Sequence, residues 1–99
     1  MSKVKFTIQY ELIKDKQEEY LRIINELKNL LKAEGLEDYT VFSVKGKPGH
    51  FQEQYTFTSE EAFEAFDDEN DERLNILINQ LSELTIDRST KYLTLSEIN

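Results

Sequence analysis

From Val4 to Leu12 the chain alternates without a break. Val4, Phe6, Ile8, Tyr10 and Leu12 stand on one side, and Lys5, Thr7, Gln9 and Glu11 on the other. Successive side chains leave a strand on opposite faces, so this pattern describes a strand with one face in a core. A one-sided strand needs hydrogen-bonded neighbours and a covering layer, which commits the chain to a sheet packed on a single face. The next segment supplies the cover. Tyr20, Ile23, Ile24, Leu27, Leu30 and Leu31 recur at helical spacing, with Asp15 placed to cap and Glu18 three residues on to reach back. The pattern predicts a helix running to Glu34, closed by Gly35 in the left-handed conformation.

Tyr39 to Lys45 reads as a second strand and Phe51 to Thr58 as a third, joined by Gly46-Lys47-Pro48-Gly49 into a hairpin. Thr58 or Ser59 then caps a short amphipathic helix carrying Ala62, Phe63 and Phe66. Helical spacing resumes with Leu74, Leu77, Ile78, Leu81 and Leu84, and the acidic run Asp67 to Glu72 between them is compatible with a continuous or a broken helix. Lys91 to Ile98 alternates again and forms the last strand. The fold class is therefore α+β: a ferredoxin-like β-α-β-β-α-β chain, with a four-stranded antiparallel sheet and its helices on one face. Its 99 residues form a single domain, 1–99.

Alternation assigns Val4, Phe6, Ile8, Tyr10, Phe42, Val44, Tyr55, Phe57, Leu93 and Leu95 to the helix-covered face. The open face then carries Lys5, Thr7, Gln9, Glu11, Tyr39, Val41, Ser43, Gln52, Gln54, Thr56, Tyr92, Thr94 and Ser96. Uncharged amides and hydroxyls dominate it, unlike an ordinary lysine-studded surface.

Composition narrows the partners. Twenty acidic against twelve basic residues give a formal charge of −8, which repels phosphate backbones and anionic membrane surfaces, so no nucleic acid and no membrane partner is expected. No cysteine is present, which removes disulfides, thiolate metal sites and a cysteine nucleophile together. Asp67 to Glu72 lacks the glycine and the twelfth-position glutamate of a calcium loop, so no metal is expected. Neither a secretory leader nor a membrane-length apolar run is visible, and a cytoplasmic location is the expectation.

The stretch Phe51-Gln-Glu-Gln-Tyr-Thr-Phe-Thr-Ser-Glu-Glu-Ala-Phe-Glu-Ala-Phe66, set in this order of elements, resembles the dimeric α/β-barrel superfamily, in particular antibiotic biosynthesis monooxygenase-like proteins. The resemblance spans nearly the whole chain. It implies a homodimer closed through the open sheet faces, and a small organic ligand bound or oxidised without a tightly bound cofactor. The alternative is a non-catalytic dimer used for interaction or regulation. Two departures bear on activity: Phe66 stands where many members have a histidine, and the chain has no tryptophan of the kind used by haem-degrading relatives.

Candidate site residues follow from both lines of reasoning. If a partner closes the barrel, Thr7, Gln9, Tyr39, Gln54, Thr56 and Tyr92 line its interior as ligand-binding residues; the competing reading is a solvent-wetted sheet with space-filling tyrosines. His50, the single histidine, titrates near neutrality and is a candidate acid or base, against a solvated loop residue beside Lys45 and Lys47. Glu53 is a candidate general base on the third strand, although alternation turns it toward the core.

Overall fold

The computed structural model describes residues 2–68 and 71–98. The elements run β1 (Val4–Glu11), α1 (Gln17–Leu30), β2 (Leu36–Ser43), β3 (His50–Phe57), α2 (Glu60–Asp68), α3 (Glu72–Leu84) and β4 (Lys91–Ser96). The strands form one four-stranded antiparallel sheet in the order β2-β3-β1-β4. This is the ferredoxin-like arrangement, with the second helical segment divided in two. Among the described residues, no helix is long and apolar enough to cross a membrane.

The helical segment is divided because Asp71 serves the backbone better as a cap than in a helix interior. Asp71 takes an extended conformation and its carboxylate accepts from the Leu74 amide at 3.1 Å, starting α3 afresh. Ser59 starts α2 in the same way, accepting from the Ala62 amide at 3.1 Å. Glu69 and Asn70 lie outside the described residues. The first helix is shorter than its periodicity suggests. It begins after Lys16 with no side-chain cap, Asp15 instead sitting at φ +69°, and it ends at Leu30. Gly35 is used for close approach. Its φ is +86°, and a Cβ there would stand 2.4 Å from the Ala62 Cβ, so it lets the start of β2 pass against α2.

The core lies between the sheet and the helices. Tyr20, Phe57, Leu27, Leu77 and Val4 are the largest fully buried side chains. One cluster joins β1 and β3 to α1 and α3 through Tyr10, Leu27, Phe51, Leu77 and Leu81; the other, Val4, Tyr55 and Phe57, packs against Phe63 and Phe66 of α2. At roughly 1.5–3 kcal/mol for each large side chain fully removed from water, these clusters dominate the stabilising side.

Two strands lie with faces opposite to those expected. In β2, Leu36 pairs with Phe57 and Asp38 with the adjacent Thr56, so Glu37 is an extra residue that shifts the phase by one. From there on Tyr39, Val41 and Ser43 share the helix face with Tyr55, Glu53 and Phe51, while Phe42 goes to the open face. Val44 falls beyond β2. In β4, pairing of Leu93 with Thr7 and of Leu95 with Lys5 sends both leucines to the open face, and Tyr92, Thr94 and Ser96 take the helix side. Antiparallel partners point the same way, so β1 overrides what the local alternation of β4 suggests. Phe42, Leu93 and Leu95 are each about half exposed as a result.

Candidate functional site

Strand β3 runs through the centre of the sheet with Phe51, Glu53, Tyr55 and Phe57 directed at the helices. A carboxyl in that row sits where only apolar side chains are at home. Glu53 is 3% exposed and flanked across the ladder by Ile8 of β1 and Val41 of β2. Such a group stays buried only when hydrogen-bonded, and tyrosines from three strands do this. Tyr10 Oη donates to Oε2 at 2.7 Å, Tyr39 Oη to Oε1 at 2.6 Å, and Tyr55 Oη to Oε1 at 3.5 Å. Behind them, the Tyr20 hydroxyl of α1 lies 2.7 Å from Tyr10 Oη. Tyr10 has one hydrogen and spends it on Glu53, so Tyr20 is the donor in that pair.

Burial raises the pKa of Glu53 above the ordinary carboxylate range, and the hydrogen bonds from Tyr39, Tyr10 and Tyr55 oppose that rise without cancelling it. The phenols respond in the same direction. Burial, followed by the nearby Glu53 charge, pushes Tyr10, Tyr39 and Tyr55 far above their usual value. Burial likewise raises Tyr20. All four remain neutral hydroxyls through the physiological range.

A cavity of about 340 Å³ opens beside this cluster, between the sheet and α3. Buried Tyr10, Leu27, Glu53, Tyr55 and Leu81 form its inner wall, and exposed Asp71, Asn75, Ile78, Ser82 and Tyr92 its mouth. Its size suits a small organic molecule, and its composition, apolar walls with a few convergent polar groups, is that of a ligand site. Among the described residues, no group of three or more metal-ligating side chains comes together.

The residues singled out in the sequence divide between two faces. Glu53 is at the cavity wall, Tyr39 holds it from β2, and Tyr92 reaches the cavity mouth, where its ring stacks with Phe6 at 6.2 Å. Both tyrosines are thus on the helix side and not on the open face. Thr7, Gln9, Gln54 and Thr56 lie on the open face, away from the cavity, with Thr7 Oγ1 donating to the Leu93 carbonyl at 3.2 Å. His50 begins β3 opposite Glu11, its Nε2 3.5 Å from the Glu11 carboxylate, and does not line the cavity. Tyr10, Tyr20 and Tyr55 read in the sequence as core alone. A glutamate on the core side of an alternating strand was the available signal, because it demands donors and the neighbouring core positions hold the tyrosines to supply them.

No family model matches this sequence, and no curated protein matches it. Solved structures do. The chain is similar to a conserved protein from Methanosarcina mazei Go1 at 18% identity, covering 99% of this chain and 95% of that one with a TM-score of 0.84. It is similar to a variant of SnoaB, a cofactor-independent oxygenase from Streptomyces nogalater, at 11% identity, 98% and 94% coverage and a TM-score of 0.78. It is also similar to an antibiotic biosynthesis monooxygenase at 15% identity, 97% and 99% coverage and a TM-score of 0.78. The fold is that of the antibiotic biosynthesis monooxygenase-like structures.

Proposed function

We propose that the protein is a homodimer in which each protomer binds a small organic molecule in the cavity between sheet and helices and oxidises it with dioxygen, without a tightly bound cofactor. The observation that carries this reading is the cavity itself, whose apolar wall is interrupted by one buried carboxylate held by phenols. Likeness in fold to a cofactor-independent oxygenase supports the reaction type.

Dimerisation is supported by the open face. Phe42, Leu93 and Leu95 project from it among Thr7, Gln9, Gln54 and Thr56, an apolar and amide- or hydroxyl-bearing set that, with Lys5, Lys91 and Asp38 supplying charges of both signs, is suited to a second copy of the same face. In the dimer those four polar residues line the space between the sheets, where each amide and hydroxyl needs a partner, since one left unsatisfied costs about 1 to 3 kcal/mol.

Native mass spectrometry of the purified protein, followed by oxygen-uptake measurements with the released molecule and no added metal, flavin or haem, tests the proposal. A dimer carrying one small molecule per protomer, with oxygen consumed on turnover, is expected. Binding without turnover would mark an interaction or regulatory dimer, and a strict monomer with no ligand would remove the reading.

A further inference from the structure

We propose that Glu53 is the recognition acceptor of the cavity, so that the protein takes molecules carrying an O–H or N–H donor and turns away anions. The inference rests on the reading of the cavity as a ligand site and adds to it the class of ligand.

Hydrogen bookkeeping in the cluster is one-directional. Tyr10, Tyr39 and Tyr55 each direct their single hydroxyl hydrogen at Glu53, and Tyr20 directs its own at Tyr10. No phenol of the cluster has a hydrogen left for a ligand. With Glu53 ionised, the cluster therefore presents acceptors only. Oε1 of Glu53 receives two of the donors and Oε2 one, while a carboxylate oxygen has two lone pairs, so Oε2 retains capacity for a further donor. Glu53, Tyr10 and Tyr55 all line the cavity, and Phe6, Ile8 and Leu27 around them offer a polar ligand no other partner at that depth.

Charge gives the second, independent constraint. Among the described residues, those lining the cavity include no lysine, arginine or histidine, while Glu53 stands inside and Asp71 at the mouth. Asn75, Ser82 and Tyr92 can donate at the mouth, but a carboxylate or phosphate that reached the inner wall would lose its hydration and meet only the acceptors of the Glu53 cluster, the costliest arrangement for an ion. The titratable groups facing Glu53 are Tyr10 from β1, Tyr39 from β2, Tyr55 from its own strand and, through Tyr10, Tyr20 from α1, all neutral.

Three probes of matched shape separate the alternatives: 2-naphthol, which donates; 2-methoxynaphthalene, which only accepts; and 2-naphthoate, an anion. Their dissociation constants from the full chain are measured by equilibrium dialysis between about pH 5 and 8, below the ordinary phenol pKa. Naphthol is expected to bind at least about tenfold more tightly than the methoxy compound, as a hydrogen bond to a charged acceptor provides, with naphthoate weakest. Glu53→Gln should shrink the naphthol preference to about threefold or less, since an amide oxygen is the weaker acceptor.

Tyr39→Phe removes one donor from Oε1 outside the cavity. It should move the pH midpoint of naphthol binding upward, because a carboxylate with fewer donors ionises at higher pH. That midpoint decides the matter if Glu53→Gln fails to fold. Equal binding of the three probes, tighter binding of naphthoate, or an unmoved midpoint in Tyr39→Phe would overturn the proposal while leaving the cavity reading intact. Failure of all three probes to bind would overturn both.

Discussion

Truncating Leu93 to alanine should weaken the dimer about thirtyfold. Leu93 is 56% exposed in the single chain, so roughly half of its side chain is available for burial by a partner. Complete burial of a leucine is worth about 1.5–3 kcal/mol, which leaves about 1 kcal/mol for this half. A two-fold dimer counts every substitution twice, giving about 2 kcal/mol, and each 1.4 kcal/mol is a factor of ten. The fold of the chain itself should be nearly indifferent, because the pairing of Leu93 with Thr7 runs through the backbone and the side chain lies on an edge strand. Sedimentation equilibrium over a range of concentrations measures the dissociation constant, and circular dichroism checks the fold. Leu21→Ala on α1, a comparably exposed leucine away from the sheet, provides the control and should change nothing. An unchanged dissociation constant in Leu93→Ala, or an equal loss in the control, would show that the open face is not the interface.

Raised by burial, the pKa of Glu53 implies a pH window in which the folded chain holds a proton that the unfolded chain, with its ordinary value of 4.5, has released. Within that window this group's contribution to stability falls as pH rises, so Glu53→Gln should flatten that part of the profile in urea unfolding at a series of pH values. Gly35→Ala should destabilise the fold by about 2–4 kcal/mol, combining a strained positive φ with overpacking against Ala62, as read from the denaturation midpoint. Ile78→Trp fills the cavity mouth from an exposed helix position; naphthol binding should drop at least about tenfold with the melting temperature little changed, and retained affinity would place the ligand elsewhere.

Much of the architecture can be traced to local pattern. The alternation of β1 fixes its core face outright, since Val4, Phe6, Ile8 and Tyr10 leave no second choice, and the same alternation sets Glu53 among Phe51, Tyr55 and Phe57. The hairpin glycines and the Ser59 cap are equally local, because each depends on the conformation of a few adjacent residues. Asp71 shows where that ends: the run containing it is compatible with a helix or its boundary, and α3 begins there only because Leu74, Leu77 and Leu81 find the sheet and α1 to pack on.

The sequence by itself thus determined the order of the elements and which residues of β1 and β3 face the helices. Tertiary structure decided the faces of the outer strands and the candidate site. Alternation says which residues of a strand share a side, but not which side meets the helices; the extra residue Glu37 settles that for β2, and pairing with β1 settles it for β4. The same two events carry Tyr39 inward to Glu53 and send Phe42, Leu93 and Leu95 outward. Tyr10, Tyr20, Tyr39, Tyr55 and Glu53 are scattered along the chain, and only strand pairing and the docking of α1 bring their oxygens together. A hydrogen bond has a reach of about 3 Å, so chemistry that depends on it is set by the folded arrangement and cannot be read from spacing along the chain.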